Sequence, residues 1–316
     1  MNFKKSEVAL LSQIEQTQNV LITVHQFPDI DAIGSALALY IYLKSLGKEV
    51  VVWTAQKLDN SFDFLSHKES IIHQIPTEFT VDTIFVLDCS SLERVRDFSK
   101  LPIEEQTIVN IDHHPDNERF GHINYLNLVS SVGEMLAQFF IDNDITITSE
   151  MAACLYAAIS FDTGRFAHSN VTETTLQLAS LLVRYGASPV DINHAMDENK
   201  SVDDFDQIKM AIDALHVNPS YRLAYTSITI KKPSKIKVID FIRQLGGIDV
   251  FVVFQVLNQG LIKVNLRSRT TFDVSCFSKQ FGGGGHHKAS GILYKGTLED
   301  CHDDIISALK EAIKPS

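Results

Sequence analysis

The sequence predicts an α/β protein in two parts: an N-terminal domain whose parallel sheet carries helices on both faces, and a smaller C-terminal α/β domain across a cleft from it. Three observations lead there. Short β-branched runs alternate with stretches of helical periodicity, the arrangement that produces a parallel sheet with covered faces. The three clearest of these runs each end in a polar cluster, the place where ligands of such sheets gather. After Gly186 the alternation gives way to an acidic stretch and then to a new set of strands and helices.

Taken in order, the amino-terminal MNFKKSEVALLSQIEQ has apolar residues at helical spacing and lacks the continuous apolar core of a signal peptide. Residues 19–24 (NVLITV) read as a buried strand, and residues 31–46 as a helix stopped by Gly47. Residues 49–53, 83–87 (TIFVL) and 107–111 (TIVNI) are further strands, with Trp53 read as core. Helices are expected over 131–141, 149–160 and 172–185, which completes a first domain of residues 1–187. Residues 188–213 are acidic and helical in spacing, and read as a connector. The second domain, residues 214–316, offers a strand (223–230), a helix (236–245), two long strands (250–257 and 261–267) and a helix (274–281). A glycine run, a last strand (289–294) and a C-terminal helix follow, with breaks at Pro219 and Gly246-Gly247.

With 316 residues, 45% of them apolar, the chain can bury two cores. Four scattered cysteines (Cys89, Cys154, Cys276, Cys301) form no CxxC pair and point to reduced thiols and a cytoplasmic location. No run reaches the ~18–20 apolar residues of a membrane span, so no membrane partner is expected. The net charge of −11 argues against a long duplex nucleic acid held along the surface. That charge is unevenly divided: residues from 214 onward hold 14 basic and 8 acidic side chains, leaving 14 and 31 before them. An acidic half suits cations, and a basic half suits phosphate.

The strongest constellation is His25, Asp29 and Asp31, then Asp88, then Asp112-His113-His114, then Asp162. Each group follows a strand-like or apolar segment, so one fold can bring all four together. A single Asp there is more often a helix cap, and a single His more often a structural residue. Two adjacent histidines after an Asp have no evident folding role, and the joint pattern reads as a dinuclear metal site. Carboxylates mixed with imidazoles suit Mn²⁺, Fe²⁺, Co²⁺ or Zn²⁺, while the lack of cysteine disfavours a structural zinc site. Paired ions roughly 3.5–4 Å apart are the usual arrangement for phosphoester hydrolysis.

In the second domain, Gly282-Gly283-Gly284-Gly285-His286 follows a helix and precedes a strand. Such a run is expected where the chain approaches a ligand closely, with gathered N–H groups forming an anion-binding concavity and His286 adding a donor. A plain flexible loop is the alternative. Arg267 and Arg269, flanking Ser268, alternate along a strand and would point to one face, ready to grip a terminal phosphate. Lys288 and His287 read as solvent-facing.

The motifs HQFPDIDAIGS, VLDCSS, IDHHP and SFDTGRF resemble, in order, the four motifs of the DHH phosphoesterase superfamily. FGGGGHHKASG, preceded by LRSRT, resembles the signature of the DHH-associated C-terminal domain. The size is similar to the branch of nanoRNases and 3′-phosphoadenosine-5′-phosphate (pAp) phosphatases. That resemblance implies two manganese ions, with Mg²⁺, Co²⁺ or Fe²⁺ as alternatives. It implies His25 and Asp29 on one ion, Asp31, His113 and Asp162 on the other, and Asp88 between them. It makes Asp112 an orienting residue for the histidines, places His114 at the substrate phosphate, and gives Arg267, Ser268, Arg269, Gly283, Gly284, Gly285 and His286 to the substrate. Ser90, Ser91 and Arg165 are weaker candidates, Arg165 being as well explained by a surface ion pair. The implied activity is hydrolysis of short oligoribonucleotides to 5′-mononucleotides and of pAp to AMP, by a homodimer. A cyclic di-AMP or linear pApA phosphodiesterase, a pyrophosphatase and a silent nucleotide sensor stay open as rivals.

Overall fold

A computed structural model of the chain describes residues 3–75, 78–97, 99, 101, 106–198, 201–230, 238–258 and 260–313. The chain divides into two compact units, Met1–Glu198 and Asn199–Ser316.

The N-terminal unit begins with α1 (Phe3–Gln16) and β1 (Asn19–Val24), followed by α2 (Ile30–Ser45), β2 (Glu49–Trp53), β3 (Ile71–Ile72), β4 (Thr83–Leu87), β5 (Thr107–Asp112) and β6 (Ile123–Leu126). Then come α3 (Val132–Asp142), α4 (Ser149–Asp162), α5 (Glu173–Arg184) and α6 (Pro189–Asp197). The strands form one sheet in the order β3-β2-β1-β4-β5-β6, and every pairing is parallel. Chain progression therefore reverses between β1 and β4, and a crevice opens beyond their carboxyl ends. Side chains alternate between two cores. Val20, Ile22, Phe85, Leu87, Val109 and Ile111 meet α1, α2, α3 and α4 on one face, while Leu21, Trp53, Ile84, Val86 and Ile108 point to the other. Among the described residues that second face is closed by loop side chains such as Val81, Val95 and Leu101, where helices were expected. A long helix needs an amphipathic run, and the described helical turns between β2 and β5 are only 3-10 turns, at Asn60–Phe62, Lys68–Ser70 and Leu92–Arg94.

Helix α2 is apolar on nearly every side because it is enclosed between sheet and helices. Its approach to α4 leaves no space for a side chain at Gly34, where a Cβ would lie 2.7 Å from the Cys154 carbonyl oxygen. Gly133 at the start of α3 is equally tight, since its Cβ would lie 2.5 Å from that of Ala158. The helix starts are fixed by side-chain caps: Asp29 for α2, Ser131 for α3, Thr148 for α4 and Thr172 for α5.

The C-terminal unit contains α7 (Val202–Asp213), β7 (His216–Asn218), β8 (Leu223–Thr229), α8 (Val238–Ile242), β9 (Val250–Asn258), β10 (Leu261–Ser268), α9 (Val274–Lys279), β11 (Gly284–His286), β12 (Ala289–Lys295) and α10 (Leu298–Ala312). Its mixed sheet runs β11-β12-β10-β9-β8-β7, parallel only between β8 and β9. Val250, Val252 and Phe254 of β9 face α9 and α10, and Phe251 and Val253 face α7 and α8. The start of the helix expected at 236–245 lies outside the described residues.

The expected connector over 188–213 is two separate helices. Helix α6, with Pro189 in its first turn, buries Ile192 in the N-terminal core, whereas α7 buries Ala211 against Ala224 and Ile228. Each helix follows its own apolar face. The four cysteines are free, and among the described residues no helix is long and apolar enough to cross a membrane.

Candidate metal centre

The strand ends deliver the acidic and imidazole side chains to one place. His25 follows β1, Asp88 follows the adjacent β4, and Asp112 closes β5 ahead of His113 and His114. Asp29 caps α2 by accepting from the Ala32 N–H at 3.1 Å, and its carboxylate also lies within reach of His25 and Asp88. Asp31 lies in the first turn of α2, fully buried. Its carboxylate accepts the Val132 and Gly133 N–H groups, each at 2.9 Å, and the Ser35 hydroxyl at 3.1 Å. The N-terminus of α3 thus aims Asp31, an arrangement possible only because Gly133 and Gly34 let the helices come together. Asp162 is the last residue of α4.

Three overlapping groups offer ligand atoms lying within 4.8 Å of one another: His25, Asp29 and Asp88; Asp31, His113 and Asp162; and Asp88, His113 and His114. The first and third share Asp88, and the second and third share His113. Asp88 Oδ2 lies 3.4 Å from His25 Nε2, and Asp88 Oδ1 lies 3.5 Å from both His113 Nε2 and His114 Nδ1. His113 Nε2 is also 3.4 Å from Asp162 Oδ2. These separations are too long for good hydrogen bonds. Asp88 is 3% exposed, its Oδ1 has no hydrogen-bond partner among the described residues, and its backbone sits in the left-handed region at φ +54°. A strained backbone under a buried, orphaned carboxylate oxygen is characteristic of a functional site.

The electrostatics agree. Burial, reinforced by the Asp88 charge, pushes Asp31 up to about 7, and burial together with Asp31 and Asp29 holds Asp162 well above the carboxylate range. Burial acts the same way on Asp88, but His113 and His25 outweigh it and hold that group well below its usual value. Burial opposes charge on His113, yet Asp88, Asp162 and Asp31 raise it well above an ordinary histidine. Crowded carboxylates that repel one another are relieved by a cation. The donors are carboxylate oxygens and imidazole nitrogens, a set that fits divalent Mn, Fe, Co or Zn. Cys89 stays out: burial pushes its thiol up to about 12, and it donates to the Ser91 carbonyl.

Partners behind the site fix the rings. His113 Nδ1 is 3.2 Å from the Val129 carbonyl, which only accepts, so the neutral ring turns its Nε2 lone pair inward. His114 Nδ1 is 2.8 Å from Asp112 Oδ1. Asp112 orients His114, then, while the backbone orients His113. Two residues that the sequence reading passed over complete this layer. The Asn117 amide donates to Asp112 Oδ2 at 2.6 Å, to Asn110 Oδ1 at 2.8 Å and to the Cys89 carbonyl at 3.2 Å. Asn110, fully buried within β5, donates to the Val86 and Cys89 carbonyls at 3.2 and 3.1 Å. An Asn inside an otherwise apolar strand was the available signal.

Other expected residues are placed differently. Arg165 makes a bidentate ion pair with Asp197, at 2.8 and 2.6 Å, on the surface. Arg267 is on β10, half-buried, with Nη1 3.0 Å from its neighbour's carbonyl (Leu266) and Nε 3.9 Å from Asp240. Arg269 does not share its face. The strand ends at Ser268, and the Arg269 guanidinium turns to carbonyls of the segment after α8, donating to Leu245 at 2.7 Å, to Ile248 at 3.4 Å and to Arg243, and lying 5.1 Å from the Phe251 ring centre. Ser268 is buried, bonded through its hydroxyl to Thr270.

The glycine run is only partly a loop. Gly284–His286 pair with β12 as β11, and the Gly282 and Gly283 N–H groups donate to the end of α9 at Lys279 and Ser278. Gly283 and Gly285 are required by packing, since a Cβ would meet the Gly291 carbonyl oxygen at 2.3 Å and that of Ala289 at 2.5 Å. At Gly284 a Cβ would meet nothing within 4 Å. His286 is exposed beside it.

Comparison with known proteins gives the family of the two units. Residues 19–159 match the family model described as the DHH family, N-terminal domain, and residues 221–315 match the DHHA1 domain. A bifunctional oligoribonuclease and PAP phosphatase, NrnA, from Thermus thermophilus is 28% identical over 93% of this chain and 90% of its own. The crystal structure of an exopolyphosphatase-related protein from Bacteroides fragilis superposes with a TM-score of 0.89 at 24% identity, covering 98% of this chain and 96% of that one. RecJ from Thermus thermophilus in complex with Mn²⁺ has a TM-score of 0.53 at 12% identity, covering 98% of this chain and 54% of RecJ. With two domain matches in the order that the motifs predict, on the fold those motifs require, the chain is a DHH-family protein carrying a DHH domain followed by a DHHA1 domain.

Proposed function

We propose that this protein is a metal-dependent phosphoesterase that hydrolyses short oligoribonucleotides to 5′-mononucleotides and removes the 3′-phosphate of pAp. The observation that carries this reading is the sharing of Asp88 and His113 among three ligand groups, which gives one cluster donors enough for two ions. His25 and Asp29 would hold one ion, Asp31, His113 and Asp162 the other, with Asp88 between. Mn²⁺ is the ion proposed, in keeping with the donor set and with the RecJ relative. Such ions supply positive charge that neutralises phosphate oxygens.

The chain's own groups do the rest. Asp112 holds His114 through Nδ1, so the opposite ring nitrogen is the one presented to the substrate. As water adds to phosphorus, losing one proton to solvent, and the P–O bond to the departing 3′-oxygen breaks, the imidazolium form of His114 passes its Nε2 proton to that oxygen. In the C-terminal unit, Arg267 and the open approach at Gly284, with His286 beside it, are proposed as substrate-binding residues. Arg269 is left out, because both its terminal nitrogens already donate to backbone carbonyls. The NrnA relative, named for both activities, supports the two substrate classes.

The test is purified protein with Mn²⁺ and, separately, 5′-pApA, pAp, a pentaribonucleotide and cyclic di-AMP, with products separated by chromatography. Release of AMP from pApA and from pAp is expected, and is lost in Asp88→Ala. Turnover of cyclic di-AMP alone would transfer the protein to the cyclic-dinucleotide phosphodiesterases. No nucleotide product from any substrate, with Mn²⁺ bound, would overturn the proposal.

A further inference from the structure

Arg94 ends a short 3-10 turn, Leu92–Arg94, in the segment that follows β4. Two contacts hold it against the metal-centre loops. Its carbonyl accepts the N–H of Gln26, the residue after His25, at 2.7 Å. Its Nη1 donates at 3.1 Å to the hydroxyl of Ser90, two residues past Asp88. The side chain is half-buried. Three other arginines are tied down: Arg165 by Asp197, Arg222 by Asp249, Arg269 by three carbonyls. Arg94 has no carboxylate partner among the described residues, and its guanidinium makes one side-chain hydrogen bond, to Ser90, although the neighbourhood is rich in aspartate. The carboxylates are turned toward the histidines and toward backbone N–H groups instead. A guanidinium carries five N–H donors, and desolvating it without a counter-charge is unfavourable unless an anion arrives.

We propose that Arg94 is a substrate-binding residue, its guanidinium gripping a non-bridging oxygen of the phosphate on which the metal centre acts. This rests on the phosphoesterase reading above. The planar fork suits two phosphate oxygens, with Ser90 fixing its edge. The bland alternative is that Arg94 merely ties its own turn to Ser90.

The experiment uses the full-length, Mn²⁺-loaded protein, with inorganic phosphate and the small diester bis(p-nitrophenyl) phosphate as probes. Arg94→Gln should keep the wild-type Mn²⁺ stoichiometry by calorimetry. Its phosphate dissociation constant and its KM for the diester should rise roughly 10- to 100-fold, the loss expected for a charge-assisted hydrogen bond. Arg94→Lys should recover part of that loss, and Ser90→Ala should weaken phosphate several-fold by freeing the guanidinium. Should Arg94→Gln fold poorly, the Lys and Ser90 variants report on the same contact. Wild-type phosphate affinity in a folded Arg94→Gln, or in both Arg94→Lys and Ser90→Ala, would overturn the inference. Failure of the wild-type enzyme to cleave any phosphoester would instead remove the functional reading, and phosphate calorimetry would still judge Arg94.

Discussion

Asp88 gathers on one residue three features that a fold without a function would avoid: a left-handed backbone, near-complete burial and a carboxylate oxygen lacking a hydrogen bond. Asn tolerates the left-handed region, so Asp88→Asn removes the charge without forcing the backbone. Metal-free Asp88→Asn is therefore expected to melt within a few degrees of the wild type. It should bind fewer Mn²⁺ ions by calorimetry and lose more than about 100-fold in diester hydrolysis, the upper end for partners one bond further out. Asn117 is such a partner. Its amide braces Asp112 and the Cys89 carbonyl together, and so positions His114 and the Asp88 loop. Asn117→Leu should lower kcat by about 10- to 100-fold while keeping the Mn²⁺ stoichiometry and leaving KM within a few-fold. An equal rise in KM would mean that the loop had collapsed.

Among the elements, α2, α3 and α4 meet where side chains are missing. Gly133 lets the first N–H groups of α3 reach Asp31, and any Cβ there enters the space of Ala158. Gly133→Ala is expected to destabilise the protein by about 1–3 kcal/mol through overpacking. The double variant Gly133→Ala with Ala158→Gly should recover much of that loss in a denaturant titration, because the same methyl is removed from the other helix. Strands of this unit were legible because, buried on both faces, they are short continuous apolar runs, and the candidate ligands were legible because most of them follow those runs directly. What escaped the sequence was set by contact. Two-residue β3 and exposed β7 carry no period, β11 is written in glycines, and Arg269 leaves its strand to meet carbonyls that lie 20 or more residues earlier in the chain. Asn110 and Asn117 act through the backbone of a neighbouring strand's loop, which no local spacing records.

For the whole molecule, the two units have separate cores and separate sheets, and the candidate ligands all belong to the first. Most of the acid lies on that side of the chain, and at the site burial, reinforced by the repulsion of neighbouring aspartates, raises Asp31 and Asp162. A cation bound only by the native arrangement adds RT ln(1 + [L]/Kd) to the stability of the unit that holds it, about 2.7 kcal/mol at a hundred times Kd. In a domain of roughly 150–250 residues, 1 kcal/mol moves the midpoint by about 2–4 °C. Scanning calorimetry of the intact chain should resolve two transitions, and Mn²⁺ should raise one of them by about 5–10 °C per ion bound while leaving the other in place. Chelation with EDTA should reverse the shift, and Asp88→Asn should diminish it. A Mn²⁺-dependent shift of equal size in Asp88→Asn would place the bound ion elsewhere, and no shift in the wild type would mean that the cluster, though assembled, does not hold metal.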